Sequence, residues 1–69
     1  MDRMEQEIGD AAGKIWDALR ENGPMTKSRI AQQTGLKAQL VDQGIGWLAR
    51  ENKLTWEEHR KTKKIDLRA

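Results

Sequence analysis

The apolar residues of this chain change their spacing at Asn52, and that change constrains the fold more than any other feature. Before Asn52 they recur at every third or fourth position, the repeat of an amphipathic helix. After it they alternate, the repeat of a strand with one buried face. Leu54 and Trp56 alternate with Thr55 and Glu57, and Ile65 and Leu67 alternate with Lys64, Asp66 and Arg68. A helical body that ends in a two-stranded hairpin is the simplest chain with this pattern, an α+β arrangement that is mainly α.

The helical part divides at two stops. Met4, Ile8, Ala11, Ala12, Ile15, Ala18 and Leu19 form one stripe, which predicts a first helix over about residues 4–22. Trp16 lies about 100° around the helix from Ile15, at the edge of the stripe, where it packs over a neighbouring element. Asn22-Gly23-Pro24 ends the helix, because Gly23 is free to take a left-handed cap conformation and Pro24 cannot continue it. Thr26 then offers a hydroxyl to the free amides of a short second helix, over about 27–33, whose inward residues are Ile30 and Ala31. Thr34-Gly35-Leu36 makes a tight turn, with Gly35 suited to positive φ.

A third helix is expected over about 37–51. Leu40, Val41, Gly44, Ile45, Trp47 and Leu48 occupy an inner arc of about 160°, and Gln39, Asp42, Gln43, Gly46 and Arg50 lie opposite. Asn52, whose short polar side chain tolerates the left-handed region, ends it. Strands are expected over about 53–57 and 63–68, with Leu54 opposite Leu67, Trp56 opposite Ile65 and Glu57 opposite Lys64, so that the apolar pairs share one face. No Asn-Gly or Gly-Gly pair marks a two-residue turn, so a loop of about four residues is expected, with His59 in it and Arg60 and Lys61 at its tip.

Composition narrows the function. With 69 residues, 36% hydrophobic and 35% charged, the chain is one small domain, residues 1–69, with a core that contributes only a few kcal/mol of net stability. There is no cysteine, which removes disulfides and most zinc sites, and the single histidine, His59, lacks the partners a metal site needs. No apolar run approaches the roughly 18 residues of a membrane span, and no basic-then-apolar leader opens the chain, so a cytoplasmic protein is expected. An enzyme is not expected: there is no phosphate-cradling glycine loop, no nucleophile elbow and little room for a water-excluding pocket, and no cofactor is implied.

The charge is segregated. Residues 1–22 sum to −3 and residues 23–69 to +5, of which residues 59–69 contribute +4. A local basic surface points to a polyanionic partner, and a solvated lysine-rich tail gives the same count.

Three helices and a hairpin in this order, with a glycine turn between the second and third helices, resemble the winged helix-turn-helix superfamily. The resemblance rests on Thr26, Ile30, Ala31, Thr34, Gly35, Leu36, Val41, Ile45 and Leu48, and covers residues 24–68. More narrowly, Ile15-Trp16 with Leu19 and the run Gly46-Trp47-Leu48-Ala49-Arg50-Glu51 resemble a family of small stand-alone bacterial winged-helix proteins of unassigned role. The resemblance implies a recognition helix, residues 37–51 here, that enters the major groove of double-stranded DNA while the hairpin wing lies against the backbone.

On that reading Gln39 and Gln43 are placed to bond adenine edges, and Lys37 to reach a phosphate or a guanine. Arg60, Lys61, Lys63 and Lys64 would neutralise phosphates from the wing, joined by Lys27 and Arg29 on the second helix. Asp42 is repelled by phosphates unless it accepts from a cytosine amine or pairs with a nearby cation. Gly44 is expected to allow close helix packing. Gly46, facing outward, allows close approach of a nucleic-acid backbone or a second chain, or else marks a frayed helix. Trp16, Trp47 and Trp56 are expected in the core, with base stacking the lesser alternative. The expected function is a DNA-binding transcriptional regulator or nucleoid-associated accessory, with a homodimer through the N-terminal extension Met1 to Glu7 as a natural assembly. The rival is a protein-interaction module that uses the same fold without nucleic acid.

Overall fold

The computed structural model describes residues 2–68, so Met1 of the N-terminal extension and Ala69 lie outside it. Three helices, α1 (Arg3–Asn22), α2 (Lys27–Thr34) and α3 (Ala38–Arg50), precede an antiparallel hairpin of β1 (Leu54–His59) and β2 (Thr62–Leu67). Each helix starts and stops for a local reason. The Asp2 carboxylate accepts from the Glu5 amide at 2.8 Å and the Thr26 hydroxyl from the Arg29 amide at 3.2 Å, each satisfying a donor that the first turn leaves free. Gly35, left-handed at φ 72°, donates to the Ala31 carbonyl and closes α2. Asn52, also left-handed at φ 60°, ends the turn after α3 and sends the chain into β1. Gly23 has a positive φ of 80° but ψ of −159°, an extended rather than helical left-handed state that glycine alone adopts readily.

The core lies where α1, α2, α3 and the base of the hairpin converge. Ile15, Leu19, Ile30, Val41, Ile45, Leu48, Leu54 and Ile65 are all buried there, with Met25. Gly44 is what lets α3 settle onto α1. A Cβ at that position would stand 2.7 Å from Ile15 Cδ1 and 3.2 Å from the Ala12 backbone nitrogen, closer than atoms pack. Met25 adds a pairing with no sequence period to announce it. Its amide donates to the Ile65 carbonyl at 3.0 Å and its carbonyl accepts from the Ile65 amide at 2.7 Å, so β2 is bonded on both edges and the hairpin is anchored to the start of α2.

The hairpin register pairs Leu54 with Leu67, Trp56 with Ile65 and Glu57 with Lys64. Two expectations about it are overturned. The strands continue to His59 and Thr62, so the connection is the two-residue turn Arg60-Lys61 rather than a loop of about four residues, and His59 belongs to β1. Arg60 takes φ 59° there without being glycine, which is why no turn residue signalled it. Trp56 is not a core residue: it is 52% exposed, whereas Trp16 and Trp47 pack against the core. The physical reason is position across the ribbon: Trp56 stands level with the buried Ile65, but Ile65 is on β2, between Met25 and β1, whereas Trp56 is on β1, the outer strand.

The apolar stripe of α1 likewise outruns the core. Ala11, Ala12, Ile15 and Leu19 are buried, Ile8 is half-buried, and Met4 is 64% exposed on turns that project beyond the other helices.

Candidate nucleic-acid interface

The outward flank of α3 and one face of the wing border a single groove of about 500 Å³. Asp42, Gly46 and Ala49 form its α3 side, Thr26, Lys27 and Ser28 at the start of α2 form one end, and Trp56 and Lys63 form the wing side. Helical geometry explains the α3 set. At about 100° per residue, positions 42, 46 and 49 fall within a sector of about 60°, and the buried Ile45, about 40° from Ala49, forms its inner edge. Strand alternation explains the wing set, since Trp56 and Lys63 share the ribbon face of Leu54 and Ile65.

Asp42 is the one anionic residue in this lining, and it is not free. Its Oδ1 accepts from Lys27 Nζ at 2.9 Å, across the α2–α3 angle. Both side chains are well exposed, so the pair adds little to stability, between about 0 and 1 kcal/mol. Its electrostatic consequence is larger: the carboxylate that would repel a phosphate is compensated, and Lys27 is occupied in compensating it. Gly46 faces open space, with nothing within 4 Å of where a Cβ would be, and it sits within a continuous helix. The groove is thus bare of side chain at this point.

The other sequence-predicted residues fall into three groups. Lys37 is the N-cap residue of α3 without a side-chain cap bond, and Gln39 follows on the first turn; both are exposed and neither lines the groove. Gln43 is half-buried, about 100° around the helix from Asp42 and on the flank nearer Trp47. Arg29 is exposed but about 200° around α2 from Lys27, away from the groove.

The wing cations divide in a way that counting could not show. Lys64 stands opposite Glu57 and Lys63 opposite Glu58, so along the strands each base faces an acid, and Lys64 lies on the ribbon face turned away from α3. Arg60 and Lys61 in the turn have no acidic cross-strand partner. The net positive charge of the wing is therefore concentrated at its tip. Among the described residues, no cluster of three or more metal-ligating side chains occurs, and no helix is long and apolar enough to cross a membrane.

This arrangement of helices and wing is matched in known proteins. A family model described as a winged helix-turn-helix domain, DUF2582, covers residues 1–67. The chain belongs to this winged helix-turn-helix family. An uncharacterised protein of Methanocaldococcus jannaschii is 40% identical over 57 residues, which span 78% of this chain and 80% of the relative. Among solved structures, the solution structure of protein BT2368 from Bacteroides thetaiotaomicron is similar at a TM-score of 0.83 and 32% identity, covering 91% of this chain and 77% of that one. The crystal structure of the Zalpha domain of Carassius auratus PKZ in complex with Z-DNA is similar at a TM-score of 0.75 and 28% identity, covering 88% of this chain and 97% of the domain.

The site residue that the sequence reading misplaced is Trp56. Strand alternation assigns it the apolar side of the ribbon but says nothing of where the core ends. The signal available was its neighbourhood: the residues after it, from Glu57 to Lys64, are all polar or charged.

Proposed function

We propose that this winged-helix protein binds DNA through the N-terminal and outward flank of α3 together with the tip of the wing, and that it serves as a transcriptional regulator or nucleoid-associated accessory in the cytoplasm, without a cofactor. The observation that carries the reading is the shared groove: the helix flank and the wing face open to the same side of the molecule, with Asp42 compensated by Lys27. The bound nucleic acid of the Zalpha neighbour supports it, as a chain of similar fold that holds DNA. Lys37, Arg60, Lys61 and Lys63 are the phosphate contacts, with Lys64 and Arg29 contributing at longer range. Gln39 is placed for base edges, Gln43 beside it, and Gly46 admits the backbone.

Four phosphate contacts imply a log-log salt slope of about −3 to −4, so affinity for a mixed-sequence duplex should fall about hundredfold between 50 and 200 mM salt. Replacing Arg60 and Lys61 with alanine should weaken all duplexes alike and flatten that slope by about 1.8. Gln39→Ala should instead change the preference among sequences. Failure of the protein to bind any duplex at the lower salt would overturn the reading.

A second reading has one observation in its favour, the projecting N-terminal turns of α1 with Met4 exposed. These turns would carry a second copy of the chain in a homodimer, or another protein. Sedimentation of the wild type and of Met4→Glu at matched concentrations tests it: a dimer that the variant abolishes supports this contact, and a monomer in both excludes it.

A further inference from the structure

The hairpin has one edge that the fold leaves unpaired. Ile65 directs both its amide and its carbonyl to Met25, away from β1. Trp56, opposite Ile65, therefore stands in a non-hydrogen-bonded pair, and its own amide and carbonyl point away from β2. Alternation gives Leu54 and Glu58 the same outward direction. Among the described residues, the Arg68 guanidinium reaches the Leu54 carbonyl at 3.5 Å, and no hydrogen bond reaches the outward groups of Trp56 or Glu58. The large apolar side chains left exposed are Met4 and Trp56, and the second of them stands on this edge. Free donors and acceptors beside an exposed indole make a template for another strand.

We infer that the occupant is a second copy of this chain, whose β1 pairs antiparallel with this β1 about a two-fold axis at Trp56 and joins the two hairpins into one sheet. A two-fold dimer needs a surface that complements itself, and the charges of β1 decide where it does. With the two-fold at Glu57 or at Glu58, a carboxylate stands directly opposite its own copy, which destabilises the pair. With the two-fold at Leu54 or at Thr55, the central bonds run through Leu54, whose carbonyl the Arg68 guanidinium already touches. With the two-fold at Trp56, the central pair uses only free groups. Each Trp56 then faces its copy, Leu54 faces Glu58 and Thr55 faces Glu57. Glu57 keeps Lys64 across the hairpin, and its diagonal neighbours are the second copy's Lys53 and Glu57. The two indoles project from the same face of the joined sheet and cover the surface that the monomer leaves in water, an aromatic cross-strand pair that favours association.

This inference does not rest on the DNA-binding reading, and no DNA enters its test. Sedimentation velocity over about 10 µM to 1 mM, a range suited to a small interface, compares wild type, Trp56→Phe, Trp56→Glu and Met4→Glu, with folding checked by circular dichroism. Amide hydrogen exchange of wild type at both ends of that range reads the edge itself. Wild type should dimerise as concentration rises, and the Trp56 amide should become protected as it does. Trp56→Glu, which sets a new carboxylate opposite its own copy, should raise the dissociation constant about thirtyfold or more. Trp56→Phe keeps an aromatic pair and should keep the dimer. Met4→Glu should leave the dimer intact, which separates this contact from one through α1. If Trp56→Glu folds poorly, protection of the wild-type Trp56 amide still decides. A wild type that stays monomeric throughout would overturn this inference and leave a strand of another protein as the occupant. So would a dimer that survives Trp56→Glu, a dimer that Met4→Glu dissolves, or one in which the Trp56 amide exchanges as in the monomer.

Discussion

The two sides of α3 use the same residue for opposite purposes. On the inner side, Gly44 is a hard contact: Ile15 and the backbone of α1 occupy the space a methyl group would need. Two residues later and about 200° around the helix, Gly46 touches nothing. Each glycine costs its helix roughly 0.5–1 kcal/mol relative to alanine. At Gly44 the cost is offset inside the monomer, by the close approach of two helices. At Gly46 nothing inside the monomer offsets it, and what the structure offers there instead is an open groove shared with the wing. The comparison separates the half of α3 that holds the fold together from the half that is open to solvent and that the proposed function assigns to DNA.

Substitutions on the two sides should therefore diverge in sign. The largest effect is expected at Ile15, fully buried against α3, where alanine should cost about 2–5 kcal/mol in urea denaturation and leave much of so small a domain unfolded. Gly44→Ala should cost about 1–3 kcal/mol through overpacking, and adding Ile15→Val, which removes the Cδ1 atom nearest the new methyl, should recover part of the loss. Gly46→Ala should do the reverse, stabilising by roughly 0.5–1 kcal/mol while weakening DNA binding in the same preparation. If both glycine variants destabilise, or Gly46→Ala leaves binding untouched, the division between the two sides fails. The smallest effect on stability is expected from Asp42→Asn, under about 1 kcal/mol because the pair with Lys27 is exposed. Its effect on binding should be an increase, since it removes a negative charge from the groove and releases Lys27, and a DNA titration at low salt measures it.

The inner side of α3 was far more legible in the sequence than the outer. Burial imposes a period, and Val41, Gly44, Ile45 and Leu48 carry it plainly; so do the pairs Leu54 with Leu67 and Trp56 with Ile65, because alternation leaves one consistent register. Gly35 and Asn52 announced their turns through residue type alone. What escaped the sequence had no period or was set at a distance. Met25 bridges β2 as a single residue, too short to alternate. Lys27 and Asp42 meet across fifteen positions through the angle between two helices. Arg60 adopts a left-handed turn conformation that its residue type does not favour. Trp56 obeys alternation and is exposed all the same, because a pattern along a strand records which way a side chain points and not how far the covering body extends. The candidate site was thus visible as a collection of residues, and its shape was not.

The claim that the outward flank of α3 and the wing form one DNA-binding face is tested most directly by titrating ¹⁵N-labelled protein with DNA and following each amide and the tryptophan indole signals. The account predicts that the resonances of Gln39, Asp42, Gly46, Arg60 and Lys61 and the Trp56 indole move together with one saturation curve, while Glu5, Gly13 and Asp17 on α1 stay in place. Shifts concentrated on α1, or movement of the wing signals without those of α3, would contradict it.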